Sequence, residues 1–421
     1  MTAEHGSTYQ PRLIEPLLSE LGKELSAFMI VGPRAVGKTT TAERRAATKI
    51  RLDLPARAAA FEADPDAALR GLEEPVLLDE WQAVPGVLGA VARSVNDDPR
   101  PNRFLLTGSV RAEIENTPWP GTGRIQRIAL HPMTVRERQG LPLQRTFVDK
   151  LLSGMELRSP DRELDLRDYL ELTLVGGFPR PALALQSERA RTAWFDDYIA
   201  DLHSHDIESA DEPATRRRDP VRLRRYFEAY ALNSGGVCEG KTIYETAGIN
   251  SRTAEAYEEL LSRLFVVERV PAWRSNRLKR LVSQPKRYLV DPALLVHLLR
   301  LDVNGILLEG DLLGRILDTF VMAQLRPELA LSQERPRAYH LRTKGGEREV
   351  DILIELGGFK VIAIEVKATA APGAEDAKHL SWLKASLGDR FMAGVVLCST
   401  PRVFQLEDRI VAAPISALWT D

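Results

Sequence analysis

Three sets of residues in this 421-residue chain have the types and spacing that chemistry on anions requires. The first is the run Gly32-Pro33-Arg34-Ala35-Val36-Gly37-Lys38-Thr39-Thr40. A triphosphate needs several backbone N–H groups converging on its oxygens, which demands tight, glycine-permitted backbone at a helix N-terminus. Gly32 and Gly37 supply that backbone. Lys38 would then reach the β- and γ-phosphates of ATP, and the Thr39 hydroxyl would hold Mg²⁺. The second set is Asp79-Glu80, which follows the apolar Val76-Leu77-Leu78. Asp79 is thereby expected at a strand's carboxyl end, where open α/β sheets hold ligands, and suits Mg²⁺ through water. Glu80 is a candidate to polarise an attacking water, with a solvated acidic turn as the alternative. Thr107 and Ser109, after a third apolar run, could sense the γ-phosphate or simply cap the next helix.

The third set lies near the C-terminus. Residues 348–355 and 360–367 flank Leu356-Gly357-Gly358-Phe359 and read as a β-hairpin. Position 358 is midway between Asp351 and Glu365, so these two carboxylates should lie nearly opposite each other, with Lys367 further along the same face. Val350, Ile352, Ile354, Ile362, Ile364 and Val366 alternate onto the other face. Two facing carboxylates suit Mg²⁺ and an activated water, as phosphodiester hydrolysis needs. An ordinary cross-strand ion-pair cluster is the competing reading.

Positioning these groups takes parallel strands with helices between them. Residues 28–31 form an apolar strand, the glycine loop follows, and a helix is expected from Lys38 through Ala47. Val76-Leu77-Leu78 and Phe104-Leu105-Leu106 are further short strands, which predicts an α/β fold with a parallel sheet covered on both faces. Residues 136–167 are polar, carry Pro142, Gly154 and Pro160, and read as an irregular insertion or linker. A mainly helical stretch from 166 to 225 is interrupted by Gly176-Gly177-Phe178-Pro179. Residues 222–270 have the order of a winged helix: helices over 222–232, 242–247 and 251–264, a turn at Gly248-Ile249-Asn250, and a strand over 265–270. Strands rich in Val and Ile with helices on either side fill 312–421.

A chain this long exceeds one ordinary hydrophobic core, so three domains are expected, over 1–165, 166–300 and 301–421. With 44% apolar and 28% charged residues and a net charge of −2, neither a disordered nor a membrane-embedded chain is expected. Glu4, Glu15, Glu20 and Glu24 argue against a leader peptide, and no apolar run reaches the ~18 residues of a spanning helix. A cytoplasmic protein with no membrane partner is expected. Cys238 and Cys398 alone allow neither a disulfide framework nor a cysteine zinc site.

A nucleic-acid partner has two sequence pointers. The second helix of the helix-turn-helix would present Arg252, Thr253, Glu255 and Glu258, with Leu260, Leu261 and Leu264 turned inward; its two acids argue against base reading. The run Trp273-Arg274-Ser275-Asn276-Arg277-Leu278-Lys279-Arg280 combines four cations with an aromatic able to stack on a base. His203, His205 and Asp206 are weak metal ligands, because i, i+2 spacing on a helix turns the histidines to different faces.

Leu77-Leu78-Asp79-Glu80-Trp81-Gln82-Ala83-Val84-Pro85, Arg103-Phe104-Leu105-Leu106-Thr107-Gly108-Ser109 and Gly176-Gly177-Phe178-Pro179 together resemble a bacterial and archaeal family of AAA-type ATPases. In that family a C-terminal domain of unknown function, similar to restriction endonucleases, follows the ATPase. The resemblance covers nearly the whole chain apart from about 140–167. It implies a P-loop ATPase domain over 1–165, a helical and winged-helix region over 166–300, and a restriction-endonuclease-like domain over 301–421. It places Arg124, in Gly123-Arg124, as an arginine finger acting on a neighbouring subunit of a homo-oligomeric ring, with Arg111 competing for the role and a surface salt bridge the alternative for either. Asp351, Glu365 and Lys367 resemble the D...(D/E)-x-K core of such nucleases, whose additional helix carboxylate corresponds to Asp318. The expected function is therefore ATP binding and hydrolysis with Mg²⁺, coupled to a nucleic-acid-acting, nuclease-like domain. The alternatives are a nucleotide-controlled switch or scaffold that binds DNA or protein without cutting, and an ATP-dependent remodeller of proteins.

Overall fold

The computed structural model describes residues 9–108, 121–204, 219–274 and 283–420. These form two compact units, one of residues 9–132 with 260–266 and the other of 133–259 with 267–420.

The first unit is built on five strands: β1 (Ala27–Val31), β2 (Thr48–Arg51), β3 (Val76–Asp79), β4 (Phe104–Thr107) and β5 (Ile125–Ala129). Their order is β2-β3-β4-β1-β5, and every pairing is parallel. β1, β3 and β4, apolar apart from the terminal Asp79 and Thr107, are buried along their length, as strands covered on both faces must be. Side chains alternate between two cores. Met29, Val31, Leu78 and Leu106 pack with Trp81 and Val91 on one face, and Phe28, Ile30, Leu77 and Leu105 with Leu18 on the other.

The helix expected through Ala47 stops at Glu43, and the next residues form β2 instead. Ala47 and Thr48 donate their N–H groups to the Pro75 carbonyl, which starts β2 alongside β3. As an edge strand it has a half-exposed face and a single apolar residue, Ile50, so its pattern gives little sign of a strand.

The second unit contains an antiparallel pair, β6 (Val267–Val270) and β7 (Lys286–Leu289), and a six-stranded mixed sheet. That sheet comprises β8 (Arg337–Arg342), β9 (Glu349–Glu355), β10 (Val361–Val366), β11 (Phe391–Cys398), β12 (Phe404–Glu407) and β13 (Ile410–Pro414), ordered β12-β13-β11-β10-β9-β8. Helices Gly310–Leu329 and Ala374–Leu387 pack against it. The hairpin β9–β10 is antiparallel, with Ile352 opposite Ile364 and Glu355 opposite Val361. Both of its faces are buried, so the polar Asp351 and Glu365 share a face with Leu353 and Ala363 rather than with solvent.

Residues 136–167 are not wholly irregular. Helices Val135–Arg138 and Phe147–Leu152 lie in this part of the chain, and Val135, Phe147, Val148 and Leu151 are buried. The Val135 N–H donates to Gln324 Oε1 at 2.7 Å and the Phe147 N–H to Glu328 Oε2 at 2.8 Å. Arg136, 1% exposed, lies 3.5 Å from Glu328. Val135, Phe147, Val148 and Leu151 face inward while Leu141 stays exposed, and the polar remainder hides the pattern. Helices Pro220–Leu232, Gly240–Thr246 and Ser251–Arg263 precede β6, close to their expected spans. In the interrupting motif, Gly177 donates its N–H to the buried Asp291 at 2.7 Å, and Phe178 packs among Trp194, Phe195 and Tyr198. Among the described residues no helix is long and apolar enough to cross a membrane.

Candidate active sites

In the first unit the chain leaves β1 into the glycine loop at the carboxyl end of the sheet. Successive strands run from β1 outward on one side through β4, β3 and β2, and β5 lies on the other, so the loop sits where strand order reverses. Gly32 has φ +154°, and a Cβ there would stand 2.2 Å from the Leu130 carbonyl oxygen; Gly37 has φ +98°. A larger residue fits neither position. Arg12, almost fully buried, donates to the carbonyls of Val36 at 2.8 Å and His131 at 2.6 Å. It thus braces the loop from an N-terminal segment whose sequence carries no motif that would reveal the role.

Lys38 is 9% exposed, and its ammonium donates to the carbonyls of Gly32 at 2.9 Å and Pro33 at 2.8 Å. Burial lowers its pKa to about 8, with Glu80 acting in the opposite direction. A buried cation held by carbonyls is poised for an anion. One residue on, the Thr39 hydroxyl donates to Asp79 Oδ1 at 2.8 Å, which brings together the two groups that Mg²⁺ would use. Thr107 donates to the same oxygen at 2.5 Å. The Thr107 hydroxyl therefore orients Asp79. Glu80, in the left-handed region at φ 54°, accepts a hydrogen bond from Gln82 Nε2. Trp81 beside it is buried in the core, so the turn that carries Glu80 out of the strand is anchored from below.

The remaining loop positions also fall at this end of the sheet. Pro33 and Val36 are buried, Arg34 is half-buried, and Ala35 and Thr40 are exposed. Ser109 and Arg111 lie outside the described residues. Arg124 precedes β5 at the opposite end of the sheet, since Ile125 pairs with Ala27. Five strand residues separate that pair from the loop, roughly 16 Å at the usual rise. Its guanidinium donates to Asn96 Oδ1 at 2.5 Å and the Thr122 carbonyl at 3.1 Å. Arg124 is therefore remote from the loop of its own chain.

In the second unit, Asp351, Glu365, Lys367 and Asp318 come together. Asp351 accepts the Val366 N–H at 3.0 Å across the hairpin, and Lys367 pairs with Glu365 Oε2 at 2.7 Å. Asp318, buried in the helix Gly310–Leu329, accepts from the Tyr288 hydroxyl at 3.1 Å. A residue absent from the sequence reading completes the cluster. Lys286 of β7, 1% exposed, pairs with Asp318 and lies 3.3 Å from Asp351 Oδ1. Burial works against its charge, but Asp318, Tyr288 and Asp351 together raise its pKa well above the ordinary value. Burial also works against the charge of the half-buried Asp351, yet Lys286 and Lys367 hold its pKa below the usual carboxylate range. Glu365 moves the other way, well upward, through burial and then repulsion from Asp351. Its Oε1 is buried without a hydrogen-bond partner among the described residues, and His379 Nδ1 is 3.9 Å away. That orphaned acceptor fits a cation, although no group of three or more His, Cys, Asp or Glu among the described residues is arranged to hold a metal ion. The Lys286 ammonium lies against two of the three expected ligands.

Two expectations about nucleic-acid contact change. Glu258 is not presented on the helix surface: it is 6% exposed and paired with Arg269 at 2.5 Å and Arg287 at 3.1 Å. Arg252 and Glu255 remain exposed. Trp273 is buried and donates its indole N–H to Glu355 Oε2 at 2.7 Å, so its ring belongs to the core rather than to a stacking platform. Residues 275–280, with three of that run's four cations, lie outside the described residues, as do His205 and Asp206.

Comparison with known proteins places the first site in a class. Residues 25–139 match the AAA domain family, so this segment is similar to AAA-type P-loop domains. Residues 166–304 and 313–418 match two domains of unknown function, DUF8612 and DUF4143. Uncharacterized proteins of Mycobacterium tuberculosis and Mycobacterium bovis are each 27% identical over 398 residues, 93% of this chain and 80% of theirs. Among solved structures, a RuvB variant of Thermotoga maritima is 17% identical at a TM-score of 0.26, covering 64% of this chain and 91% of its own. A Vibrio cholerae protein, VC1899, is 10% identical at a TM-score of 0.18, covering 93% and 95%.

Proposed function

We propose that the first unit binds ATP with Mg²⁺ and hydrolyses it. The observation that carries this reading is the buried Lys38 ammonium resting on loop carbonyls, one residue from a Thr39 hydroxyl already bonded to Asp79. Loop N–H groups and Lys38 receive the phosphates, Thr39 and Asp79 hold the metal, and Glu80 orients the attacking water. Held by Thr39 and Asp79, Mg²⁺ would supply positive charge beside the phosphates. Turnover should disappear in Lys38→Ala together with binding, whereas Glu80→Gln should bind and not turn over. Equal turnover in Glu80→Gln would remove that residue from the mechanism. The distance of Arg124 from its own loop supports a role for it at a neighbouring chain's nucleotide, in a homo-oligomer. Arg124→Ala should then lower turnover, and specific activity should depend on protein concentration.

We further propose that nucleotide turnover is coupled to action of the second unit on nucleic acid, with Asp351 and Glu365, assisted by Asp318, as the ligands of Mg²⁺ and Lys367 beside the reacting phosphate. What supports this is the orphaned Oε1 of Glu365, a buried carboxyl close enough to Asp351 to feel its charge. The close tie of Lys286 to Asp318 and Asp351 favours a second reading, a nucleotide-controlled switch or scaffold that binds without cutting. Incubation with single- and double-stranded DNA and RNA, with Mg²⁺ or Mn²⁺ and with or without ATP, separates them: cleavage lost in Asp351→Ala and Lys367→Ala supports the first, and binding without cleavage the second.

A further inference from the structure

Lys286 and Tyr288 reach the acidic cluster from one face of β7, while Arg287, on the alternate face, pairs with Glu258 of the helix Ser251–Arg263. β7 therefore joins the helix-turn-helix to the acids through adjacent residues. β7 pairs with β6 and, through Arg287, bridges Gly236, while the extension of β6 bridges β8 at Ala272 and His340; among the described residues β7 itself pairs with no strand of the six-stranded sheet that carries Asp351 and Glu365. The Lys286 ammonium contacts Asp318, the Asp351 carbonyl at 3.2 Å and Asp351 Oδ1 at 3.3 Å. It stands where a cation shared by those carboxylates would stand. A buried ammonium needs such partners, and a divalent ion beside it would meet repulsion from it. Glu365 keeps one buried oxygen without a hydrogen-bond partner among the described residues.

We propose that Lys286 is a resident cation of the acidic cluster that keeps divalent metal out, and that movement of β7, driven through the Arg287–Glu258 tie, withdraws it and opens the site. The proposal rests on the reading of Asp351 and Glu365 as metal ligands. Its test is Mn²⁺ binding without nucleotide, followed by electron paramagnetic resonance of free Mn²⁺, together with melting temperature with and without the ion. Wild type should bind no Mn²⁺ that Asp351→Asn abolishes. Lys286→Met should gain about one Mn²⁺ per chain and melt higher in its presence, and a further Asp351→Asn should remove both effects. Lys286→Gln keeps a neutral hydrogen-bond donor toward Asp318, so it is the variant to use if Lys286→Met does not fold; it too should gain Mn²⁺ binding. Wild type binding an ion that Asp351→Asn releases would overturn the resident-cation proposal and leave the metal-site reading standing. Folded Lys286 variants that bind no Mn²⁺ would overturn both.

Discussion

The pH dependence of nucleotide affinity follows from the environment of Lys38. Burial lowers its pKa to about 8 in the nucleotide-free protein, where two carbonyls are its hydrogen-bond partners. Phosphate oxygens against the ammonium would raise that pKa well above 9. Below pH 8 the lysine is already charged, and affinity should be flat. Above pH 8 the free protein has lost the proton, so binding must take one up. Affinity should then fall about tenfold between pH 7 and pH 9, at ~1.4 kcal/mol per unit once past the pKa. The assay is equilibrium titration with ATP and Mg²⁺ across that range, on wild type and Lys38→Arg. The arginine variant should bind more weakly but with no such fall, because a guanidinium stays charged. A flat wild-type profile, or the same fall in Lys38→Arg, would refute the reasoning.

Thr107→Val removes one of two hydroxyls bonded to Asp79 Oδ1 without changing shape. At about 1.5–3 kcal/mol for a hydrogen bond to a charged group, the Mg²⁺ concentration for half-maximal turnover should rise at least about tenfold; an unchanged Mg²⁺ requirement would return Thr107 to the list of phosphate sensors. Phe147→Ala should destabilise the second unit by about 3–5 kcal/mol in denaturant titrations, because the ring is buried. A cost below about 1 kcal/mol would mean that this stretch is a detachable insertion. His340 is 2% exposed and burial lowers its pKa from 6.5 to about 4. Since the unfolded chain takes up the proton first, up to about 3 kcal/mol of stability should be lost as pH falls from 6.5 toward 4. His340→Gln should flatten that limb of the stability profile, and an unaltered limb would assign it to other groups.

The parts of the molecule that could be read in advance are those whose chemistry is local. The glycine loop, the strand ending in Asp79 and the hairpin turn each sit within a few residues of the groups they position. The observed pairing of Ile352 with Ile364 implies the pairing of Asp351 with Glu365 by the same arithmetic, a symmetry about the Gly357-Gly358 turn. Lys286 was illegible because it reaches the acids from a strand 65 residues before Asp351 in sequence. Arg12 was illegible for the same reason, as its partners Val36 and His131 are joined only by folding. Glu258 read as a surface acid on helical spacing alone, and only the approach of Arg269 and Arg287 explains its burial. Thr107 had the position of a phosphate sensor, but its bond to Asp79 depends on β3 and β4 being neighbours.

Binding of ATP to wild type and Lys38→Ala, measured calorimetrically with Mg²⁺ at neutral pH, tests the central claim most directly. Wild type should bind about one nucleotide per chain, and the folded variant should lose at least about a hundredfold in affinity, as expected when a buried charged hydrogen-bond donor is removed from a phosphate site. A folded wild type that binds no ATP, or a Lys38→Ala variant that binds it equally well, would contradict the account.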